Sequence, residues 1–231
     1  MQRRNFTSGL VLSVGTGLGT LGSPAGAAGL SEGEAAGGIR AALERGAAVA
    51  VASLGRPDGF LGNPKVRIPL PRFLEEAAKV LRFTGQQRKV DELVTAMNRA
   101  AEAAVPEAKT LLVGAVRSMS VEDARRILAG GDDSATRFFA EKTRSPLTVR
   151  FLPIVTRATE RVALAEKYNA IAGQAAGLGL VSKDQANVQR YVTEKALDGL
   201  YAMIAEEEAK IRRDPIGTGS ALLQKVFGSL R

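Results

Sequence analysis

The residues best suited to chemistry are basic side chains in the second half of the sequence. They are Lys142, Arg144, Arg150, Arg157 and Arg161. The three later arginines recur at helical spacing and share roughly one face. Guanidinium and ammonium groups hold carboxylates and phosphates, so this stretch is the best candidate for an anion-binding stripe. Glu160 and Glu166 interrupt it, and ion pairing on a solvated helix face explains the same pattern.

A wider set of polar residues forms the candidate ligand-binding site. Three come from the stripe, one lies in a proline-rich loop, two lie within a predicted helix and two lie at a predicted helix end. The full set is Arg67, Asn98, Arg99, Lys142, Arg150, Arg157, Tyr168 and Asn169. We expect these residues to bind an anionic or apolar partner without catalysing a reaction.

A second hypothesis places chemistry on carboxylates, as in a hydrolase that acts on an envelope polymer. The possible acids are Glu102, Glu107, Asp132, Asp133 and Glu160. The mechanism needs two carboxyl groups about 5–10 Å apart across a cleft. Asp132 and Asp133 precede a predicted helix, where a carboxylate that caps the helix and suits its dipole is the simpler interpretation.

The amino-acid composition excludes several classes of enzyme. The 231-residue chain has no Cys, no His and no Trp. A thiol nucleophile, a disulfide framework, a histidine-based triad and a zinc site of the usual kind are therefore excluded. The sequence indicates no catalytic residues, no cofactor and no metal site, and any metal would need oxygen ligands.

The charge balance is basic, with a formal net charge of +8. Such a protein is suited to an anionic lipid, a glycan or an acidic envelope protein, although a solvated surface rich in Arg and Lys is the simpler interpretation. Nucleic acid is a weaker idea, since aromatic residues do not alternate with the cations.

The elements that must position these residues are predicted to be helices. Alanine and leucine are frequent, and aromatic residues make up only 5% of the chain. Residues 182–213 form the longest predicted helix, which begins at a Ser182/Gln185 capping box and is interrupted by Gly199. We expect an all-α fold, a compact array of about eight helices, with further helices beginning near Ser145 and Ser220.

One long connection divides the predicted helices. Residues 55–71 contain four prolines and three glycines, which prevent a helix. Val66, Ile68 and Leu70 alternate with basic residues, as in a short extended segment that lies on the core. The loop either brings backbone close to a ligand at 62–64 or forms a surface strap held by Phe60 and Leu61.

Residues 1–27 have the pattern of a twin-arginine export signal. Arg3-Arg4 is followed by Phe6, an uncharged apolar segment and the small-x-small site Ala25-Gly26-Ala27. We expect cleavage near Ala27, a periplasmic location and a mature chain without a transmembrane segment. A disordered amino terminus is the alternative. The remaining residues, 30–231, are predicted to form a single all-helical domain.

Several long segments agree in order with one bacterial family. They are Leu61-Gly-Asn-Pro64, Arg67-Ile-Pro-Leu-Pro71, the segment 97–108, Gly130-Gly-Asp-Asp133, Phe151-Leu-Pro-Ile154, Lys195-Ala-Leu-Asp-Gly-Leu200, Ile204-Ala-Glu-Glu-Glu208 and Asp214-Pro-Ile-Gly-Thr-Gly-Ser220. From about residue 30 onward the chain resembles the bacterial domain of unknown function 4197 family. The resemblance implies an exported, all-helical protein without an established activity, and it supplies no catalytic residues.

Overall fold

The computed structural model describes residues 32–160, 162–177, 179 and 187–214, and these form an all-α fold. The segment with the pattern of an export signal and the helix predicted after Ser220 lie outside the described residues. The helices are α1 (Glu32–Leu54), α2 (Arg72–Phe83), α3 (Gln87–Ala104), α4 (Ala108–Arg117), α5 (Val121–Ala129), α6 (Ser134–Thr159), α7 (Ala163–Gly177) and α8 (Val188–Arg213).

The all-α fold class is confirmed, but the predicted array of about eight helices is reduced to six main helices of twelve or more residues, because α4 and α5 have only ten and nine. Pro106 does not introduce a loop between α3 and α4. The residues Val105–Glu107 form one turn of 3₁₀ helix there. Beyond the end of α6, the Val162 N–H bonds to the Thr159 carbonyl at 3.1 Å.

Helix α8 packs mainly on α6 and α1, and α6 packs in turn on α3. The core between them is built from small and aliphatic side chains with a few aromatic rings. Leu197 and the rings of Phe139 and Phe151 are fully buried in it. The abundance of alanine allows the helices to approach closely.

Two predicted helix starts are corrected. The long helix begins at Val188, not Ser182, because Asn187 is extended and its side chain accepts the Arg190 N–H at 2.7 Å. Helix α6 begins at Ser134 rather than Ser145, and it continues through Pro146 and Pro153. Both prolines are exposed, so their missing hydrogen bonds fall on the solvent side.

Loop 55–71 is a strap across the outside of α3 and α8, as one of the two sequence interpretations predicted. Val66 and Ile68 are buried while Lys65 and Arg67 are exposed, which confirms the predicted alternation. The ring of Phe60 is fully buried against Gly199 of α8. A Cβ at Gly199 would lie 2.7 Å from Phe60 Cε1, so glycine in this helix makes room for the strap.

Candidate functional site

Three of the predicted ligand-binding residues share one exposed face of α6. Lys142, Arg150 and Arg157 are exposed, and their spacings of eight and seven residues place them on one side of the helix. Val149, 72% exposed, lies among them. Arg150 approaches Glu107 at 3.8 Å, a contact with another element and not the pairing along the helix face that the sequence indicated. Arg161 lies outside the described residues.

Arg144, also from the predicted stripe, is committed to the contact between α6 and α8. Its guanidinium lies 5.1 Å from the centroid of the Tyr201 ring and donates to Glu194 at 3.0 Å and Asp198 at 2.9 Å. Nearby, the Tyr201 hydroxyl and the Thr143 hydroxyl share a buried hydrogen bond of 2.9 Å.

Asn98 anchors the strap. Its amide is fully buried, accepts the Ile68 N–H at 2.8 Å and donates to the Ile68 carbonyl at 2.9 Å. A further bond runs to the Val94 carbonyl at 2.8 Å. This is the pairing that a neighbouring strand would give Ile68, and it uses the polar atoms that were predicted to meet a ligand.

Glu102 and Arg99 hold the first turn of the strap. The Glu102 carboxylate, 5% exposed, accepts the N–H groups of Phe60 and Leu61 at 3.0 and 3.1 Å. Arg99 donates to Glu102 at 2.7 Å and to Asp58 at 2.8 Å. Asp58 has a φ of 65°, a left-handed conformation that this ion pair helps to hold.

The sequence placed Tyr168 and Asn169 at the end of a helix. In the structure they lie within α7 and connect it to α8. Tyr168 is buried, and its ring lies 6.5 Å from the ring of Tyr191. Burial raises the pKa of Tyr168 above its ordinary value and that of Tyr191 to about 12. Asn169 accepts the Val188 N–H at 2.8 Å and so covers the start of α8.

The eight predicted binding residues therefore fall into three groups: the strap, the α6 face and the contact between α7 and α8. Only the α6 group is presented to solvent as a set. Arg67 is exposed at the edge of the strap, beside a second surface described below.

The candidate acids of the hydrolase hypothesis are dispersed. Glu102 accepts a backbone N–H group of the strap, and Glu107 lies near Arg150. Asp133 pairs with Arg137 at 3.2 Å. Asp133 makes no side-chain cap at α6. The first amides of α6 are instead accepted by Glu208 of α8, at 3.0 Å from Ala135 and 2.9 Å from Thr136. Across the described residues, no group of three or more acidic side chains is placed to hold a metal.

A surface that the sequence analysis missed lies where α2 turns into α3. Phe83 ends α2 and is 94% exposed, the highest value among the described large hydrophobic side chains. Four cations surround it in sequence, and no acidic residue occurs from residue 79 to residue 89. We call this surface the basic corner: Lys79, Arg82, Phe83, Arg88 and Lys89.

The turn of the basic corner is built to project its side chains. Gly85 has a φ of 76°, which ends α2 sharply and allows α3 to begin at Gln87. Arg88 approaches Glu92 at 3.4 Å, and Lys89 donates to Gln86 at 3.0 Å. Both contacts are local and lie at the surface, so they leave the corner exposed.

A cavity of about 290 Å³ adjoins the basic corner and brings in one predicted residue. It lies between the strap, α2 and α3, and Arg67 lines it together with Lys79 and Arg82. Glu75 and Asp91 also line this cavity. Arg67 thus extends the positive surface of the corner toward the strap.

Comparison with known proteins identifies the family of the chain. The family model described as protein of unknown function (DUF4197) matches residues 29–228. The chain belongs to this family. No curated protein and no solved structure matches the chain. The DUF4197 assignment therefore carries no residue roles, and the function must be argued from the surfaces of this chain.

The basic corner had a sequence signal that was available but not used. An acid-free run with four cations around a Phe, followed at once by Gly85, marks an apolar side chain at a turn between two helices. If Phe83 is assigned to the buried face of a helix, this signal is overlooked. In this DUF4197 chain, Phe83 is the last residue of α2 and its side chain is exposed to solvent.

Proposed function

We propose that this protein is an exported, non-enzymatic module of the bacterial envelope that binds an anionic lipid surface through its basic corner. One observation carries the proposal: a phenylalanine 94% exposed to solvent stands at a helix turn among four cations. Exposing a large aromatic ring is unfavourable in water, whereas a membrane interface accommodates the ring and the surrounding cations.

The charge of the whole molecule supports this choice of partner. Arg3 and Arg4 are the only charged residues of the segment 1–27, so the chain without that segment still carries +6 of the formal +8. A basic protein is drawn toward an anionic surface over a distance of about one Debye length, roughly 8 Å at physiological salt. The lysine and arginine groups would lie among the lipid phosphates.

The described helices are suited to lying on a membrane and not to crossing it. Across residues 32–160, 162–177 and 187–214, none of the helices combines the length and apolar character that a membrane span requires. Peripheral binding therefore has to come from a local feature, and the corner supplies both an apolar and an electrostatic component.

The expected strength follows from the two components. Each basic residue near an anionic surface contributes about 1 kcal/mol, and burying Phe83 adds up to about 2 kcal/mol. Replacing Arg82, Arg88 and Lys89 by Gln should weaken binding by about two orders of magnitude, and Phe83→Ala by about tenfold.

Vesicle co-sedimentation of the full mature chain tests this proposal. We expect binding to phosphatidylglycerol vesicles, much weaker binding to phosphatidylcholine vesicles, and a loss of binding with added salt. A matched control replaces Arg117, Arg125 and Arg137 by Gln, which changes the net charge equally on other helices. Equal effects of the two triple variants, or equal binding to both lipids, would contradict the proposal.

The hydrolase alternative receives less support from the geometry. Its five candidate acids do not line the cavity beside the basic corner, the cavity between α1 and the end of α8, or the cavity between α5 and the start of α6. The most buried of them, Glu102, accepts backbone amides and an arginine, so its oxygens serve the strap.

A further inference from the structure

The cavity beside the basic corner is lined by charges of both signs. It measures about 290 Å³ and lies between the strap, α2 and α3. Its cations are Arg67, Lys79 and Arg82, and its carboxylates are Glu75 and Asp91. We call this cavity, with those five side chains, the mixed pocket. A pocket that carries both charges is complementary to a ligand that carries both, and less so to a simple anion.

Most of these charges are not neutralised within the described part of the protein. Lys79 has a partner of its own there. The side chains of the two arginines and the two carboxylates form no ion pair and no hydrogen bond among the described residues, although they line one cavity. Two positive and two negative groups therefore remain for a ligand, and they balance each other.

The strap forms one wall of the mixed pocket. Pro69 and Leu70 line it, and the Pro69 carbonyl accepts the Tyr191 hydroxyl at 3.1 Å. Burial and, after it, the negative charge of Glu75 raise the pKa of Tyr191 to about 12. Glu75 therefore lies close to the tyrosine that holds this wall in place.

The mixed pocket and the basic corner share one edge of α2. Glu75, Lys79 and Arg82 follow each other at intervals of four and three residues, and Phe83 lies four residues after Lys79. A bilayer in contact with Phe83 would therefore bring lipid head groups to the pocket.

We propose that the mixed pocket binds the head group of a lipid that carries both a phosphate and a primary ammonium group, as phosphatidylethanolamine does. Arg67 and Arg82 hold the phosphate, since guanidinium groups match its oxygens. The ammonium group donates hydrogen bonds to Glu75 and Asp91, which a trimethylated choline cannot do because it has no N–H. This selectivity rests on the proposed function, since it names a lipid that the docked protein would recognise.

The first test needs no bilayer. The full mature chain is titrated with soluble glycerophosphoethanolamine, and we expect saturable amide NMR shifts at residues 67–70, 75–82 and 91–94. Glycerol 3-phosphate, ethanolamine and glycerophosphocholine each lack one part of the recognised group and should bind at least about fivefold more weakly. Equal binding of glycerophosphocholine, or of glycerol 3-phosphate, would overturn the proposal.

Replacing the carboxylates separates this site from simple attraction to anions. Glu75→Gln with Asp91→Asn should weaken binding of glycerophosphoethanolamine by about tenfold, the effect of two lost charge contacts at the surface. The same variant should sediment with phosphatidylglycerol vesicles at least as well as the parent chain, because it is more positive. The matched control, Asp132→Asn with Glu160→Gln, changes exposed carboxylates outside the pocket. Equal head-group binding by the two double variants would overturn the proposal.

Vesicles identify the source of the head group. At a fixed fraction of phosphatidylglycerol, exchanging phosphatidylcholine for phosphatidylethanolamine should strengthen sedimentation of the parent chain by about fivefold and leave that of the carboxylate variant unchanged. Binding of the soluble compound without this gain would overturn the lipid as ligand and assign the pocket to a free phosphate ester of an amino alcohol. Sedimentation with phosphatidylglycerol, but without this gain and without binding of the soluble compound, would overturn the mixed pocket and leave the basic corner intact.

Discussion

At the scale of single residues, buried polar groups hold this protein in shape, and the polar groups placed for binding are exposed. Asn98 and Glu102 were both candidates for function in the sequence. Their contacts show that they satisfy the backbone of a loop which has no strand or helix partners of its own. Nothing in a single sequence distinguishes an amide that pairs with a loop from one that awaits a ligand.

Replacing Asn98 by Ala should destabilise the fold by about 2–4 kcal/mol. The Ile68 N–H and carbonyl would remain buried without partners, and each unpaired group costs about 1–3 kcal/mol. The free energy of unfolding, measured by urea denaturation, checks this value. Gln86→Ala, at a surface position, should change it by less than about 0.5 kcal/mol. An Asn98 variant as stable as the Gln86 variant would show that the strap is not anchored there.

Gly199→Ala tests the seat of the strap on α8. The added Cβ would lie 2.7 Å from the Phe60 ring, so we expect a loss of about 1–3 kcal/mol from overpacking. Gly114→Ala in α4 is the matched control, because a Cβ there meets nothing within 4 Å. That change should be neutral or stabilise by up to about 1 kcal/mol. The Gly199 contact is disproved if both changes have the same effect.

At the scale of elements, hydrophobic periodicity and capping signals predicted the helices well and their ends less well. The absence of helix in loop 55–71 and the burial of Val66 and Ile68 in it were both confirmed. The errors lay where tertiary contacts replace local signals. Asn169 of α7 accepts the first amide of α8 in addition to the cap from Asn187, and Glu208 of α8 accepts the first amides of α6, where Asp133 makes no cap.

Replacing Glu208 by Ala should loosen the start of α6 in particular. Glu208 is 6% exposed, accepts two amides of α6 and pairs with Arg212 at 2.9 Å. Breaking such a buried pair costs about 3–5 kcal/mol. Hydrogen exchange should accelerate most at the amides of residues 135 and 136. Glu160→Ala, at an exposed carboxylate, should leave these amides unchanged, and an unaltered exchange rate in the Glu208 variant would refute the role of this cap.

At the scale of the whole molecule, the sequence predicted an all-α protein and the DUF4197 family, but it did not predict which surface faces a partner. Residues far apart in sequence form the surfaces. Arg67 of the strap lines one cavity with Lys79 and Arg82 of α2, and Arg45 of α1 lines another with Arg213 of α8. The arrangement of the helices in space determines which of these side chains come together, and no local sequence pattern predicts that arrangement.

The three tyrosines report on the cohesion of the whole fold at alkaline pH. All are at least 95% buried, and burial raises the pKa of each above its ordinary value near 10, to about 12 for Tyr191. The folded protein therefore holds these protons more tightly than the unfolded chain. The contribution of these protonated tyrosines to the free energy of unfolding is fully present below pH 10 and falls as the pH rises from about 10 to 12.

Absorbance of tyrosinate measures this effect directly, since the chain has no tryptophan. In the native protein the signal should lag behind that of the chain in denaturant, which titrates near pH 10, and should rise together with unfolding. A native titration that overlays the denatured one would show that the contacts of α7 and α8 do not exclude water from the rings.

The most direct measurement of the central claim, that the basic corner docks on an anionic lipid surface, is the fluorescence of Phe83→Trp. The new tryptophan would be the only one in the chain. We predict a blue shift and quenching by brominated lipid with phosphatidylglycerol vesicles, and no change with phosphatidylcholine vesicles. Val149→Trp, at a position 72% exposed on α6, should respond to neither. An unchanged spectrum at position 83, or equal shifts at positions 83 and 149, would contradict the claim.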